Sequence, residues 1–329
     1  MLNHGGRIQE AAQQYQIPLP NWLDLSTGIN PIAYPVPDIP NSVWQRLPEE
    51  QDHLIVSATQ YYQCDSLLAV AGSQAAIQNL PKLRAQGTTG ILSPSYAEHA
   101  HAWQKSGHNT LNIAATEIDQ YVDKLDTLIL VNPNNPTGHC FSIQQCLTWL
   151  ATLNKKGGWL IIDEAFIDCT PELSLSSLAP LPGLIILRSV GKFFGLAGIR
   201  AGFVLAEPVI LTALNELLGP WAVSNPSRFV TAHALQNTVW QDDTRIKLQQ
   251  QSQNLHNLLK QYQLPPTGST GLFQWVKTEP AEKIHQQLAQ HAIFTRLFSE
   301  PASVRFGLPS NATEIKQLEK ALKNIAPLI

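Results

Sequence analysis

Short apolar runs alternating with polar, helix-compatible stretches set the rhythm of the chain between residues 67 and 192. The runs are "LLAVAG" (67–72), "TGILSPSY" (89–96), "TLILVNPNNPTG" (127–138), "WLIIDEAF" (159–166) and "GLIILRSVGK" (183–192). Their apolar residues are consecutive, not alternate, which predicts strands buried on both faces of a mainly parallel sheet. The stretches between them predict helices that return the chain for the next parallel strand. One such helix carries its own punctuation. Ser142 and Gln145 form an S-x-x-Q capping box, and Ile143, Leu147, Leu150 and Leu153 make an apolar stripe. Gly157 supplies a left-handed stop.

After "LLGPWAVSNPSRF" (217–229) the texture changes. A polar-rich helical stretch over about 229–263 runs to the break "LPPTGSTG". Then come the strand-like "LFQWV", a helix near 280–291, "SVRFGL" and a closing helix. The predicted fold class is α/β: a large domain over 41–224 with a mainly parallel sheet, and a smaller α+β domain from 1–40 and 225–329.

Composition narrows the function classes. Among 329 residues, 44% are hydrophobic and the formal net charge is −3, without a basic block. That balance argues against nucleic acid or an anionic membrane as a partner. The start, "MLNHGGRIQEAAQQYQ", lacks the apolar core of a secretory signal. No apolar run approaches the roughly 20 residues that span a bilayer. Cys64, Cys140, Cys146 and Cys169 show neither CxxC pairing nor metal-ligand spacing. The expectation is reduced thiols, a cytoplasmic location and no metal.

The chemistry-bearing residues fall where apolar runs end, which is where open parallel sheets bind ligands. Gly72, Ser73 and Gln74 lie between a strand and a helix start, where backbone N–H groups favour a phosphate. Asn135 follows another strand and can donate from its amide. Asp163 comes directly after apolar residues, where a carboxylate needs a cation or donors. Ser189 and Lys192 end a further strand, Arg200 follows, and Tyr96 offers an aromatic face. Together they meet the demands of pyridoxal 5′-phosphate: a lysine for the aldehyde, an acid at the ring nitrogen, a donor for the ring oxygen and a phosphate cup.

The order AGSQ, SPSY, NPNNPTG, DEAF, SVGK and then Arg200 resembles the fold-type I, aspartate-aminotransferase-like pyridoxal-phosphate family. The resemblance implies a homodimer with Lys192, Asp163 and Tyr96 as catalytic residues. Lys192 would join the cofactor aldehyde, Asp163 would pair with the ring nitrogen, and Tyr96 would stack on the ring. Asn135 would bond the ring 3-oxygen, while Ser73, Gln74, Ser189 and Arg200 would hold the phosphate. Phe166 departs from the pattern, because many members have a tyrosine there. The tyrosine that members use to reach the neighbouring subunit's phosphate has no clear counterpart in "SVWQRLPEEQDHLIVSATQYYQ".

The chain ends, "NHGGRIQEAA", "LDLSTGINP", "GPWAVSNP" and "RLFSEPASVRFGLP", resemble the branch that decarboxylates L-threonine O-3-phosphate for cobalamin biosynthesis. The competing branch is aminotransferases of phosphorylated amino compounds such as histidinol phosphate. For the decarboxylating branch, the resemblance implies that Arg305 and Arg296 grip the anionic ends of the substrate. His4, Gly28, Asn30 and Asn135 complete the expected substrate set.

Overall fold

The apolar runs all become strands of one sheet. The computed structural model describes residues 4–328; Met1–Asn3 of the N-terminal motif lie outside the described residues. In chain order the strands are β1 Leu23–Asp24, β2 Leu67–Val70, β3 Thr88–Leu92, β4 Asn109–Ile113, β5 Thr127–Val131, β6 Trp159–Asp163, β7 Leu184–Ser189, β8 Gly202–Leu205, β9 Gly268–Thr270, β10 Phe273–Lys277, β11 Ile293–Phe294, β12 Arg296–Phe298 and β13 Ser303–Gly307.

The large sheet has the order β2-β8-β7-β6-β5-β3-β4. From β4 to β7 every pairing is parallel, and β8 runs antiparallel to both β7 and β2. Every residue of β5 and the apolar run Leu184–Leu187 of β7 are buried, as strands covered on both faces require. Ile129, Ile161, Ile185 and Val204 of the sheet pack with Ile77, Trp103 and Leu214 from covering helices.

The helix Ile143–Asn154 has the predicted capping box, with Ser142 N–H donating to Gln145 Oε1 at 3.0 Å. Gly157 takes φ +65, the left-handed stop. The buried face is a correction: it is Cys146, Trp149, Leu150 and Leu153, while Ile143 and Leu147 are only half-buried. These four also follow helical spacing, and the sheet selects the face carrying the tryptophan. Burial pushes the Cys146 thiol up to about 12. The polar-rich stretch divides into two helices, Asn225–Gln236 and Thr238–Gln261.

Contacts divide the chain into two units. The larger comprises Tyr34–Asn135 and Cys140–Gln241 and contains the seven-stranded sheet. The smaller combines the segment up to Ala33, residues 136–139 and the chain from Asp242 onward. It holds the antiparallel sheet β12-β13-β10-β9, the parallel pair β1-β11, and the helices Ala281–Gln290 and Ala312–Ile325.

Candidate active site

The carboxyl ends of the large sheet's strands open into one cavity of about 140 Å³. It gathers all eight residues expected to hold the cofactor: Ser73, Gln74, Tyr96, Asn135, Asp163, Ser189, Lys192 and Arg200. Gly72, Val131, Ala165 and Phe166 complete the wall. These residues are spread over more than 120 positions of sequence, and strand order alone brings them together.

Asp163 ends β6 and is 3% exposed. A carboxylate at that depth needs partners. Its Oδ1 accepts the Ala165 N–H at 3.0 Å, and its Oδ2 lies 3.0 Å from His99 Nε2. Sequence reasoning did not assign His99 to the site. The available signal was its spacing from Tyr96, three residues earlier at the start of the same helix, with ring centroids 6.1 Å apart. Lys192 is half-buried, and its Nζ lies 5.7 Å from the centroid of Phe166. An apolar ring therefore stands beside the amine.

Gly72 precedes the helix Ser73–Asn79 at φ +74. A Cβ there would meet Arg200 Nη2 at 2.7 Å, so only glycine lets the guanidinium approach this turn. Arg200 is itself left-handed, at φ 50, and its Nη1 donates to Ala197 O at 3.1 Å. Gln74 also has two side-chain partners. Its Nε2 donates to Glu98 Oε2 at 2.8 Å, and its Oε1 accepts the Tyr96 hydroxyl at 3.1 Å. Gln74 thereby ties down the Tyr96 ring.

The residues fit pyridoxal 5′-phosphate by the chemistry of their donor set. Lys192 offers an amine for the aldehyde, and Asp163 a carboxylate for the ring nitrogen. Asn135 offers an amide, and Arg200 and the two serines form a cradle that a Cβ at Gly72 would invade. Tyr61 and Tyr62, the two tyrosines of the unassigned stretch, are both committed within the larger unit. Tyr61 donates to Asp168 Oδ1 at 2.9 Å, and Tyr62 is buried beneath the Arg188 guanidinium.

The expected substrate residues, apart from Asn135, belong to the smaller unit. Arg296 of β12 and Arg305 of β13 are direct partners across the antiparallel pair. Like charges placed opposite destabilise a sheet. Burial, and then the Arg296 charge, lower Arg305 to about 9. The pair therefore gains from an anion. Arg305 Nη2 donates to Ser26 O at 2.9 Å, and the Ser26 hydroxyl accepts the Gly6 N–H at 2.8 Å. A Cβ on Gly5 would come within 2.3 Å of the Ser26 carbonyl oxygen that Arg305 bonds, so "HGG" is shaped to lie on Ser26. His4 and Arg296 are half-buried; Gly28 and Asn30 are buried, with Asn30 Oδ1 accepting the Ile32 N–H at 2.9 Å. Among the described residues, no group of three or more His, Cys, Asp or Glu could hold a metal ion, and no helix is long and apolar enough to cross a membrane.

Comparison with known proteins gives a consistent grouping. Residues 48–325 match the family described as aminotransferase class I and II. The threonine-phosphate decarboxylase of Pseudomonas aeruginosa is 50% identical over 322 residues, spanning 98% of this chain and 97% of that protein. A threonine-phosphate decarboxylase of a Sinorhizobium species is 38% identical and spans 97% of both chains. In fold, the histidinol-phosphate aminotransferase from Sinorhizobium meliloti, solved in complex with pyridoxal-5′-phosphate, superposes with a TM-score of 0.85 at 17% identity, over 99% of this chain and 96% of that one.

Proposed function

Because this chain belongs to the aminotransferase class I and II family and uses pyridoxal 5′-phosphate, we propose that it decarboxylates L-threonine O-3-phosphate to (R)-1-amino-2-propanol O-2-phosphate in cobalamin biosynthesis. The observation that carries this reading is the 50% identity to a threonine-phosphate decarboxylase over 98% of the chain. The opposed arginines, Arg296 and Arg305, suit a substrate with two anionic groups. A cytoplasmic homodimer belongs to the same proposal.

In this reading each residue has a defined task. Arg200, Ser73, Gln74 and Ser189, with the helix start after Gly72, hold the cofactor phosphate. A planar guanidinium suits phosphate oxygens better than an ammonium would. Asn135 donates to the ring 3-oxygen, and Tyr96, tethered by Gln74, covers one face. Asp163, fixed by His99 and the Ala165 N–H, keeps a proton on the ring nitrogen. When bound, the cofactor supplies the electron sink for the pair left at the α-carbon as CO2 departs. Lys192 would hold the cofactor through its Nζ; once free, the amine would take up the proton shed by the substrate's ammonium and pass it to the α-carbon. Arg305 and Arg296 orient the carboxylate and phosphate, while Gly28, Asn30, Asn135 and His4 line the substrate.

The test is single-turnover chemistry with threonine phosphate. CO2 should be released without 2-oxoglutarate, and borohydride reduction of the holoenzyme should label Lys192. Stoichiometric conversion of the cofactor to its amine form without CO2 would move the protein to the aminotransferases. A label on Lys155 or Lys156 would overturn the assignment of the lysine.

A further inference from the structure

A second charged cluster lies one residue beyond the pocket side chains, and none of the chemistry so far uses it. Arg188, 3% exposed, donates from Nη1 to Glu164 Oε2 at 2.8 Å, to Ser174 Oγ at 2.9 Å and to Ser176 Oγ at 3.0 Å. Its Nη2 donates to Asp168. Glu164 Oε1 accepts the Leu175 N–H at 2.8 Å, and the Tyr62 ring centroid lies 4.7 Å from the guanidinium carbon. Burial acts to lower the pKa of Arg188, but Asp168 and Glu164 hold it above its ordinary value. The guanidinium is thus a permanent buried cation between two carboxylates.

Such a cluster is a poor way to gain stability, because well-packed apolar residues of similar volume often do as well or better. Its placement is more informative. Glu164 follows Asp163, precedes Ala165 and bonds through its N–H to Leu187 O at 2.9 Å. Arg188 precedes Ser189, and Asp168 stands two residues after Phe166. Adjacent side chains on a strand point to opposite faces. Glu164 and Arg188 therefore clamp the ends of β6 and β7 from the face opposite Asp163 and Ser189. Asp168, held also by Tyr61, fixes the loop that carries Phe166.

We propose that Arg188, Glu164 and Asp168 are positioning residues for the cofactor: they set where Asp163, Phe166 and Ser189 stand. The inference rests on the pocket's being the cofactor site, not on which amino acid is decarboxylated. Glu164→Gln preserves volume and leaves Arg188 paired with Asp168. In the full-length holoenzyme, this change should weaken pyridoxal 5′-phosphate about tenfold, the equivalent of ~1.4 kcal/mol. It should also move the pH midpoint of the bound cofactor's visible absorbance. The thermal midpoint of the same chain after cofactor removal should stay within a few degrees of wild type. Wild-type cofactor affinity and an unmoved absorbance midpoint would overturn the proposal, whatever happens to stability. If Glu164→Gln does not fold, Tyr61→Phe removes only the hydroxyl given to Asp168. A several-fold loss of cofactor affinity would then support the positioning role, and wild-type affinity would overturn it. A wild-type chain that takes no cofactor on Lys192 would instead overturn the reading of the pocket itself.

Discussion

Replacing Gly72 with alanine should damage the phosphate end of the cofactor site selectively. Two costs arise. The first is backbone: φ +74 with ψ 156 lies in a region used essentially by glycine alone, at roughly 1–3 kcal/mol for an L-residue. The second is local: the new Cβ would lie 2.7 Å from Arg200 Nη2 and 3.2 Å from its Cζ. The guanidinium is the flexible end of a side chain, so it yields by withdrawing from the turn. A withdrawn Arg200 gives up a charge-assisted hydrogen bond to phosphate, worth about 1.5–3 kcal/mol. Cofactor affinity should then fall on the order of 10- to 150-fold. Gly157→Ala is the control, because Gly157 has φ +65 and nothing within 4 Å of an added Cβ. It should pay a backbone cost alone and leave cofactor binding unchanged. The decisive assay compares pyridoxal 5′-phosphate with pyridoxal, which forms the same bond to Lys192 but has no phosphate. Gly72→Ala should bind pyridoxal nearly as wild type does. Equal loss for both ligands would refute the placement of the phosphate beside Gly72 and Arg200.

Three further outcomes follow from the same geometry. Asp163→Ala should lower turnover far more than it lowers cofactor retention: removing one member of a buried charge pair costs about 3–5 kcal/mol, roughly 10²–10³-fold in rate or more if all of it is felt in the transition state. A variant within a few-fold of wild-type kcat would show that the acid has another task. Arg305→Ala and Arg296→Ala should each weaken threonine phosphate by about 1.5–3 kcal/mol, with the cofactor spectrum unaltered; isothermal titration in which neither variant differs from wild type would dismiss the pair as the anion grip. Ser26→Ala removes the hydroxyl that accepts the Gly6 N–H, a bond of about 1 kcal/mol, so substrate KM should rise about fivefold and the N-terminal segment should become easier to cleave. An unchanged KM would separate that segment from substrate binding.

Much of this pocket was readable from sequence because its residues, Arg200 apart, come at or soon after the ends of apolar runs, and such runs end at the ligand-binding edge of a parallel sheet. Strands without that signature were harder to see. β4, Asn109–Ile113, is an edge strand whose polar and apolar residues are mixed, with only Ile113 fully buried. β8, Gly202–Leu205, is entirely buried but starts just two residues after Arg200, so its four residues read as the tail of the Lys192 loop. The break between the helices ending at Gln236 and starting at Thr238 has neither glycine nor proline to announce it.

The polar partners divide along a different line. His99 meets Asp163 across 64 residues, and its place three residues after Tyr96 brings it to the pocket without naming Asp163 as its partner. Arg188 was legible in principle. An arginine after "LIIL" in a strand buried on both faces demands carboxylates, and "DEAFID", which begins at the end of the neighbouring strand, offers Glu164 and Asp168 after Asp163. The three acids of that segment then separate by environment: two neutralise a guanidinium on one face, and the third meets an imidazole on the other. A carboxylate held by Arg188 cannot also serve the ring nitrogen, so the cluster leaves Asp163 as the acid available to the pocket.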